Sequence, residues 1–353
     1  MNFRFLLFFF LLNFSAFTQK GYFVEDDLKY TNEAINEDLY KINAEFQPFT
    51  KLDTIGFSEF GLPILTLKIH SESTHKKYPI WLVGNIHARE DFSSKMVMKF
   101  TNLFLLSLVG LDTTFEKASH YLEIFDIYIS PVVNPDGLKI AHEDWEGIEK
   151  FKDSVLKIKR VDGFSAWKAN GLGVDLNSNF DDGNHLYKCT AISQEVPASE
   201  GYKGCFPAEA KETIVLQNFV TELNPILTLS FHTKGNVIFW GDCDTYEKYN
   251  TIDSLISGKV AQLTGLKMMN LSYNPIAYGC GLENYIRAKL GMLAVCVELS
   301  PMTNKREQHP DNQFNKLVWS KVAQLPIIYM EELLNTKELW PNQMKNYFIE
   351  KSK

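Results

Sequence analysis

The sequence predicts an α/β fold: a single domain with a mixed, mostly parallel central sheet flanked by helices. Three observations carry this expectation. Short apolar runs bounded by turn residues alternate along the chain with stretches of helical periodicity, the pattern of a sheet layered between helices. At 353 residues, with 45% hydrophobic and 22% charged side chains, the chain has globular proportions and enough apolar surface for one large core. No repeat, low-complexity tract or linker-like change in composition divides it.

The first eighteen residues stand apart from that pattern. Arg4 precedes an apolar run from Phe5 to Leu12, and small residues follow at Ser15, Ala16 and Thr18. This is the layout of a secretory signal, with cleavage expected after Thr18 and residues 19–353 left as the mature domain. The run is shorter than the roughly 20 apolar residues needed to cross a bilayer, so no stable membrane anchor is expected. The expected location is extracellular or periplasmic.

Elements then follow in order. Residues 31–45 open on Thr31 with a Glu-rich first turn and carry Ile35, Leu39 and Ile42 at helical spacing. Residues 64–70 and 78–85 read as strands, and Ser93 or Ser94 is placed to cap a helix over about 95–108. A strand over 123–133 is stopped by Asn134-Pro135-Asp136-Gly137, a strong turn signal. Residues 141–205 are polar and loop-rich, with short helices. A helix over 208–223 leads to strands at 225–232 and 236–241. A helix over 281–291 ends at Gly291, a buried strand covers 292–300, and 313–334 closes the chain helically despite Pro326.

Charge and cysteine content exclude several roles. Lys+Arg 36 against Asp+Glu 43 gives net −7, and no basic cluster exceeds Lys157-Ile158-Lys159-Arg160, so nucleic acid is not an expected partner. Five cysteines in an exported chain allow at most two bridges. Cys296 lies in an apolar run and reads as a free thiol. Cys189 and Cys205 flank a loop rich in Ser, Pro and Gly and form the better pair, with Cys243–Cys280 a weaker one. No C-x-x-C spacing supports a structural zinc ribbon.

The chemistry gathers where strands end. After the strand at 78–85, His87 and Glu90 follow three residues apart in a turn entering a helix, a spacing that can aim an imidazole and a carboxylate at one point. A divalent zinc ion accepts both and leaves room for a third protein ligand and a water. His232 ends LTLSFH and Glu298 ends AVCVEL, again at carboxyl ends of strands, where open α/β sheets place their ligands. A carboxylate behind an apolar run is either paired structurally or held as a proton carrier.

The segments GNIHARE (84–90), PVVNPDG (131–137), GVDLNSNF (173–180), LSFH (229–232) and VCVEL (295–299) occur in this order, preceded by TIGFSEFGLPI (54–64). In order and approximate spacing they resemble the zinc carboxypeptidases of the pancreatic A/B type over most of the chain. The resemblance implies that His87, Glu90 and His232 hold one Zn2+ ion per chain. It implies that Asp175 fixes the tautomer of the first histidine and that Glu298 is the general base. An Arg after Trp supports the oxyanion in that family. Here the matching run is AWKAN, which puts Lys168 there; Lys supplies the charge without the two-pronged geometry of Arg. Arg89 matches a substrate-contacting Arg, Tyr278 sits near the family's capping Tyr, and Glu283 aligns with the residue that reads the substrate side chain. Digestive members carry a folded pro-segment. Only about a dozen residues separate Thr18 from the first helix here, so activity without further trimming is expected.

The larger departure concerns the substrate. Exopeptidases of this family use Asn and Arg in GVDLNRNF to grip a terminal carboxylate; here Asn177 is followed by Ser178, and a hydroxyl cannot replace a bidentate guanidinium. The γ-D-glutamyl-meso-diaminopimelate peptidases commonly lack that Arg too. They also resemble this chain at 167–183 and 232–240. The expected activity is therefore hydrolysis of a peptidoglycan stem peptide by a monomeric secreted enzyme. The alternatives are a metallocarboxypeptidase on ordinary peptides, with Lys168, Lys234 or Arg287 as its carboxylate clamp, and a metal-free binding protein of the same fold.

Overall fold

Thr31 accepts a hydrogen bond from the amide of Ala34 and starts α1 (Asn32–Glu45), whose Ile35, Leu39 and Ile42 are buried as their spacing predicts. The computed structural model describes residues 28–73, 76–160, 163–188, 193–242, 247–270 and 279–340. The expected export signal, Cys189, Cys243 and Tyr278 lie outside the described residues. After α1 come the hairpin β1 (Thr50–Phe57) and β2 (Pro63–Ile69), then β3 (Tyr78–Val83), α2 (Asp91–Leu108), α3 (Ala118–Ile124) and β4 (Phe125–Ser130). The chain continues through α4 (Pro135–Ala141), α5 (Lys152–Lys157), α6 (Lys211–Leu223), β5 (Leu227–His232) and β6 (Val237–Phe239). Next are α7 (Glu247–Thr264), β7 (Lys267–Met268) and β8 (Leu293–Glu298).

The eight strands form one sheet in the order β1-β2-β4-β3-β5-β8-β6-β7. Its centre, β4-β3-β5-β8, is parallel, and antiparallel pairs (β1-β2, β2-β4, β6-β8) extend it to both sides. Every residue of β3 and β5 is buried. Strands covered on both faces read as continuous apolar runs rather than alternations. The core is continuous across the sheet, with Trp81, Phe100, Phe104, Phe125 and Tyr329 among its largest fully buried side chains.

Four expectations are corrected. The strand expected from residue 123 starts at Phe125, because α3 occupies the residues before it. Asn134 to Gly137 does more than turn the chain: Asn134 caps α4 through the amide of Gly137, and Pro135 takes the first helical position, where a missing N–H costs nothing. Asp136 accepts from Ser58 Oγ (2.5 Å) and the Phe60 amide (2.8 Å), fastening the β1–β2 hairpin. The closing helix is broken. A π-helical turn at Asn315–Trp319 and the short Ser320–Val322 precede Leu325–Asn335, which restarts with Pro326 in its first turn because proline cannot continue the hydrogen-bond ladder. Neither expected disulfide is made: Cys205, Cys280 and Cys296 are free thiols, Cys205 Sγ lying 3.2 Å from Tyr202 Oη and Cys280 Sγ 3.6 Å from Asp182 Oδ1.

Candidate active site

The three neighbouring parallel strands β3, β5 and β8 finish at one edge of the sheet. His232 and Glu298 are the last residues of β5 and β8 and sit opposite each other in register. Beyond β3 the loop 84–90 is tied down residue by residue. The Asn85 amide donates to Ser93 Oγ (2.8 Å), Asn85 Nδ2 donates to the Ala88 carbonyl (3.1 Å), and Asn134 Nδ2 donates to the Ile86 carbonyl (3.1 Å). Asn85 takes the left-handed conformation (φ 54°), which Asn tolerates better than most residues. Gly84 is required by space, since a Cβ there would lie 2.7 Å from the Pro131 carbonyl oxygen and 3.1 Å from Ser93 backbone. Gly84→Ala is therefore expected to cost about 1–3 kcal/mol and to displace His87; thermal unfolding together with zinc titration checks this, and an unchanged Tm and zinc affinity would refute it.

The loop delivers His87 and Glu90 to His232. His87 Nδ1 lies 3.0 Å from His232 Nδ1 and 3.0 Å from Glu90 Oε1, and His232 Nδ1 lies 2.9 Å from Glu90 Oε2. All three side chains are buried. The far ring nitrogens face acceptors: His87 Nε2 lies 3.4 Å from Asp175 Oδ1, and His232 Nε2 lies 3.1 Å from Ser230 Oγ and 3.7 Å from Glu283 Oε1. Protons held at those Nε2 atoms leave two Nδ1 lone pairs and a carboxylate converging on one point, which requires a cation. Tetrahedral ligands at zinc distances are roughly 3.3 Å apart, close to these separations. The donor set fits zinc.

The surrounding charges support that arrangement. Burial works to raise the Glu90 carboxyl, but the two imidazoles hold it well below the usual carboxylate range. Burial likewise opposes ionisation of Asp175, yet Lys168 (Nζ to Oδ2 3.0 Å) and His87 keep it well below its ordinary value. The Gly201 amide donates to the same Oδ2 (3.2 Å). Glu298 differs. Burial first, and then the Glu90 charge, push it up to about 8, and its buried Oε2 has no hydrogen-bond partner.

These groups open on a cleft of about 380 Å³ lined by His87, Glu90, Glu298 and the cations Arg89, Lys168, Lys234, Lys305 and Arg306. Arg89 grips Glu200 with both terminal nitrogens (3.1 and 3.1 Å), and Arg306 reaches the same carboxylate (3.3 Å). Lys234 donates to Thr303 Oγ1 and to the carbonyls of Lys305 and Glu307, fastening the loop that walls the cleft. Beside the cleft a second cavity of about 140 Å³ is lined by Asn177, Lys188, Glu283, Arg287 and Cys296, among others. Arg287 is committed to Asp242 (2.5 Å) and the Ala294 carbonyl (2.6 Å). Asn177 Oδ1 accepts from the Leu282 amide at 2.9 Å. Ser178 follows Asn177 in a 3₁₀ turn, Leu176–Ser178.

Sequence reasoning missed Ser230 and Glu200. Ser230 was legible, because residues two apart on a strand share a face. Glu200 lies in the polar stretch between motifs and carries no local signal.

The profile of a family described as zinc carboxypeptidase (peptidase M14) matches residues 35–318. The chain is 29% identical over 221 residues to gamma-D-glutamyl-L-diamino acid endopeptidase 1 of Lysinibacillus sphaericus, covering 62% of this chain and 54% of that protein. It is 26% identical over 254 residues to carboxypeptidase A1 of Rattus norvegicus, covering 70% of this chain and 55% of that protein. The chain thus spans a little over half the length of these relatives. The crystal structure of thrombin-activatable fibrinolysis inhibitor superposes with a TM-score of 0.67 at 17% identity, covering 86% of this chain and 74% of that one. Among the described residues no helix is long and apolar enough to cross a membrane.

Proposed function

This chain belongs to the zinc carboxypeptidase family and is a zinc metallopeptidase, and from that premise we propose that it cuts peptidoglycan stem peptides between the γ-carboxyl of D-glutamate and diaminopimelate. We place this activity outside the cytoplasm, with residues 1–18 as the export signal and residues 19–353 as the enzyme, holding one zinc ion. The observation that carries the reading is the charge of the cleft. The chain is acidic overall, net −7, yet five cations line the walls around Glu298. A γ-linked glutamate keeps its α-carboxylate free on the acyl side of the scissile bond, three carbons from the carbonyl, where an α-linked residue of an ordinary peptide has none. A cationic cleft selects for that extra charge. Ser178 beside Asn177 and the similarity to a gamma-D-glutamyl-L-diamino acid endopeptidase support the same reading.

Zinc, when held by His87, Glu90 and His232, supplies a Lewis acid for the scissile carbonyl and lowers the pKa of a water towards about 7. Glu298 then removes the proton from the attacking water and passes it to the departing amine. Its place at the end of β8, opposite His232 in register, suits both tasks. Lys168, fixed by Asp175 at the cleft wall, faces the developing oxyanion with its ammonium. Arg89 and Arg306, joined through Glu200, flank the path of the glutamate carboxylate.

The test compares an L-Ala-γ-D-Glu-diaminopimelate peptide with a hippuryl-type peptide on protein assayed for metal. The expected result is near-stoichiometric zinc and a kcat/KM at least ~10²-fold higher on the γ-linked peptide. Faster cleavage of the hippuryl peptide would overturn the proposal in favour of ordinary carboxypeptidase action.

A further inference from the structure

We propose that Asp136 and Glu212 are positioning residues: a buried carboxyl pair that shares one proton, fixes the loop 167–175 behind the active site through Asn170, and releases Lys168 and Asp175 when that proton is lost in alkali. The pair belongs to the scaffold under the metal-binding cluster and acts whichever peptide is cut.

The geometry puts the two carboxyls side by side. Both residues are 0% exposed. Consecutive amides serve them: the Phe60 amide donates to Asp136 Oδ2 (2.8 Å) and the Glu59 amide to Glu212 Oε1 (3.1 Å). Ser58 Oγ donates to Asp136 Oδ1 (2.5 Å), Asn170 Nδ2 donates to Glu212 Oε2 (2.9 Å), and the two carboxyls hydrogen-bond to each other. That last bond exists only while one of them carries a proton, because an ionised carboxylate can accept but not donate. The charged groups nearby are committed elsewhere. Glu59 on the β1–β2 turn pairs with Lys211 Nζ of α6 (3.5 Å), and Lys139 of α4 is turned to Glu33 and Asp144. Phe60, stacked on Phe151 at 3.9 Å, and Asn170 are neutral. Among the described residues no ion pair reaches either carboxyl of the pair.

One side chain carries the effect to the active site. Asn170 Oδ1 accepts the amides of Leu172 (3.1 Å) and Val174 (2.9 Å), closing the turn that leads into Asp175. The same loop meets the metal-binding loop where the Ala88 amide donates to the Lys168 carbonyl (3.1 Å). Gly171 lets the turn lie against the pair, since a Cβ there would stand 2.9 Å from Asp136 Oδ2. Burial first, and then the charge of Asp136, push Glu212 up to about 8, and burial raises Asp136 as well. Both shifts are upward, so the stability that the pair contributes is full in acid and is lost as pH rises through about 8. Two buried like charges in contact must then part or admit water, and the Asn170 bond moves with Glu212.

The experiment follows Tm and zinc affinity of the zinc-loaded wild type, Asp136→Asn and Glu212→Gln from about pH 6 to about pH 9.5. Either amide puts a fixed N–H where the shared proton was and leaves a single charge that cannot double. Glu298 and every other titrating group are common to the three proteins, so the difference between their profiles isolates the pair. Across the alkaline half of that range the wild-type Tm is expected to fall by about 3 °C more than that of either variant. Its zinc affinity should fall by about tenfold more, through the displaced Asp175. Asn170→Ala cuts the link and keeps the pair, so it should retain the extra fall in Tm and lose the extra fall in zinc affinity. Neither readout needs a substrate, so failure here is distinct from failure of the peptidase reading. If Asp136→Asn does not fold, Glu212→Gln carries the same comparison. Profiles parallel to wild type in the amide variants overturn the proposal. So does an extra fall in Tm with no matching fall in zinc affinity, since the pair would then hold the fold without positioning the site.

Discussion

Glu298→Gln is expected to lower kcat/KM by about 10²–10⁴-fold while leaving zinc content and fold intact. The substitution keeps the shape of the side chain and removes its ability to accept a proton. It orphans no donor, because Glu298 Oε2 has no hydrogen-bond partner, and it removes a repulsion with Glu90. Stability should therefore hold or rise slightly, which separates a chemical defect from a folding one. Steady-state kinetics, metal analysis and thermal unfolding on one preparation check this. The acid limb of the wild-type pH profile should also be lost in the residual activity of the variant. Retention of more than about half the wild-type rate would remove Glu298 from the chemistry.

Asp175→Asn has the second largest expected effect, on stability and on metal together. One carboxylate faces His87 Nε2, pairs with Lys168 Nζ and accepts the Gly201 amide. Neutralising it leaves a largely buried ammonium uncompensated, which typically costs about 3–5 kcal/mol. Losing the acceptor on His87 should weaken zinc binding by about 10–100-fold. Pairing Asp175→Asn with Lys168→Met is expected to recover most of the stability and none of the zinc affinity, because only the first effect comes from the stranded charge. Denaturant unfolding and competition against a metal buffer measure the two separately. The pH dependence has a fixed sign: the folded state holds Asp175 below its ordinary pKa, so its contribution is present above about pH 4 and is lost as pH falls further. Equal stability of the single variant and wild type at neutral pH would refute the pairing.

Much of the fold was legible because its central strands are buried on both faces and so appear as uninterrupted apolar runs, LTLSFH and MLAVCVEL among them. The clustering of His87, Glu90 and His232 was legible because His232 ends such a run and the other two follow shortly after one. What escaped reading has physical causes. β1 exposes much of its length and lacks a clean alternation, so only its register with β2 reveals it. Helix α7 carries Ile252, Ile256 and Val260 on one buried face and is closed by Gly265 in the left-handed conformation, a stop signal that was there to be read. Lys168 was legible as a cation beside the chemistry, while its fixed pairing with Asp175, seven residues on, depends on how the intervening loop folds back. Glu200 acts through tertiary placement alone, and spacing in the chain says nothing of it.

The two imidazoles come from positions 145 residues apart, whereas His87 and Glu90 are only 3 apart. An unfolded chain therefore offers a metal one weak local chelate, and the complete set exists only once the middle strands lie side by side. Zinc cannot template this protein in the way it templates a small finger domain. An ion held by these three residues would bind the assembled sheet and stabilise it by mass action, so the zinc-loaded protein is expected to unfold at a higher temperature than the apoprotein.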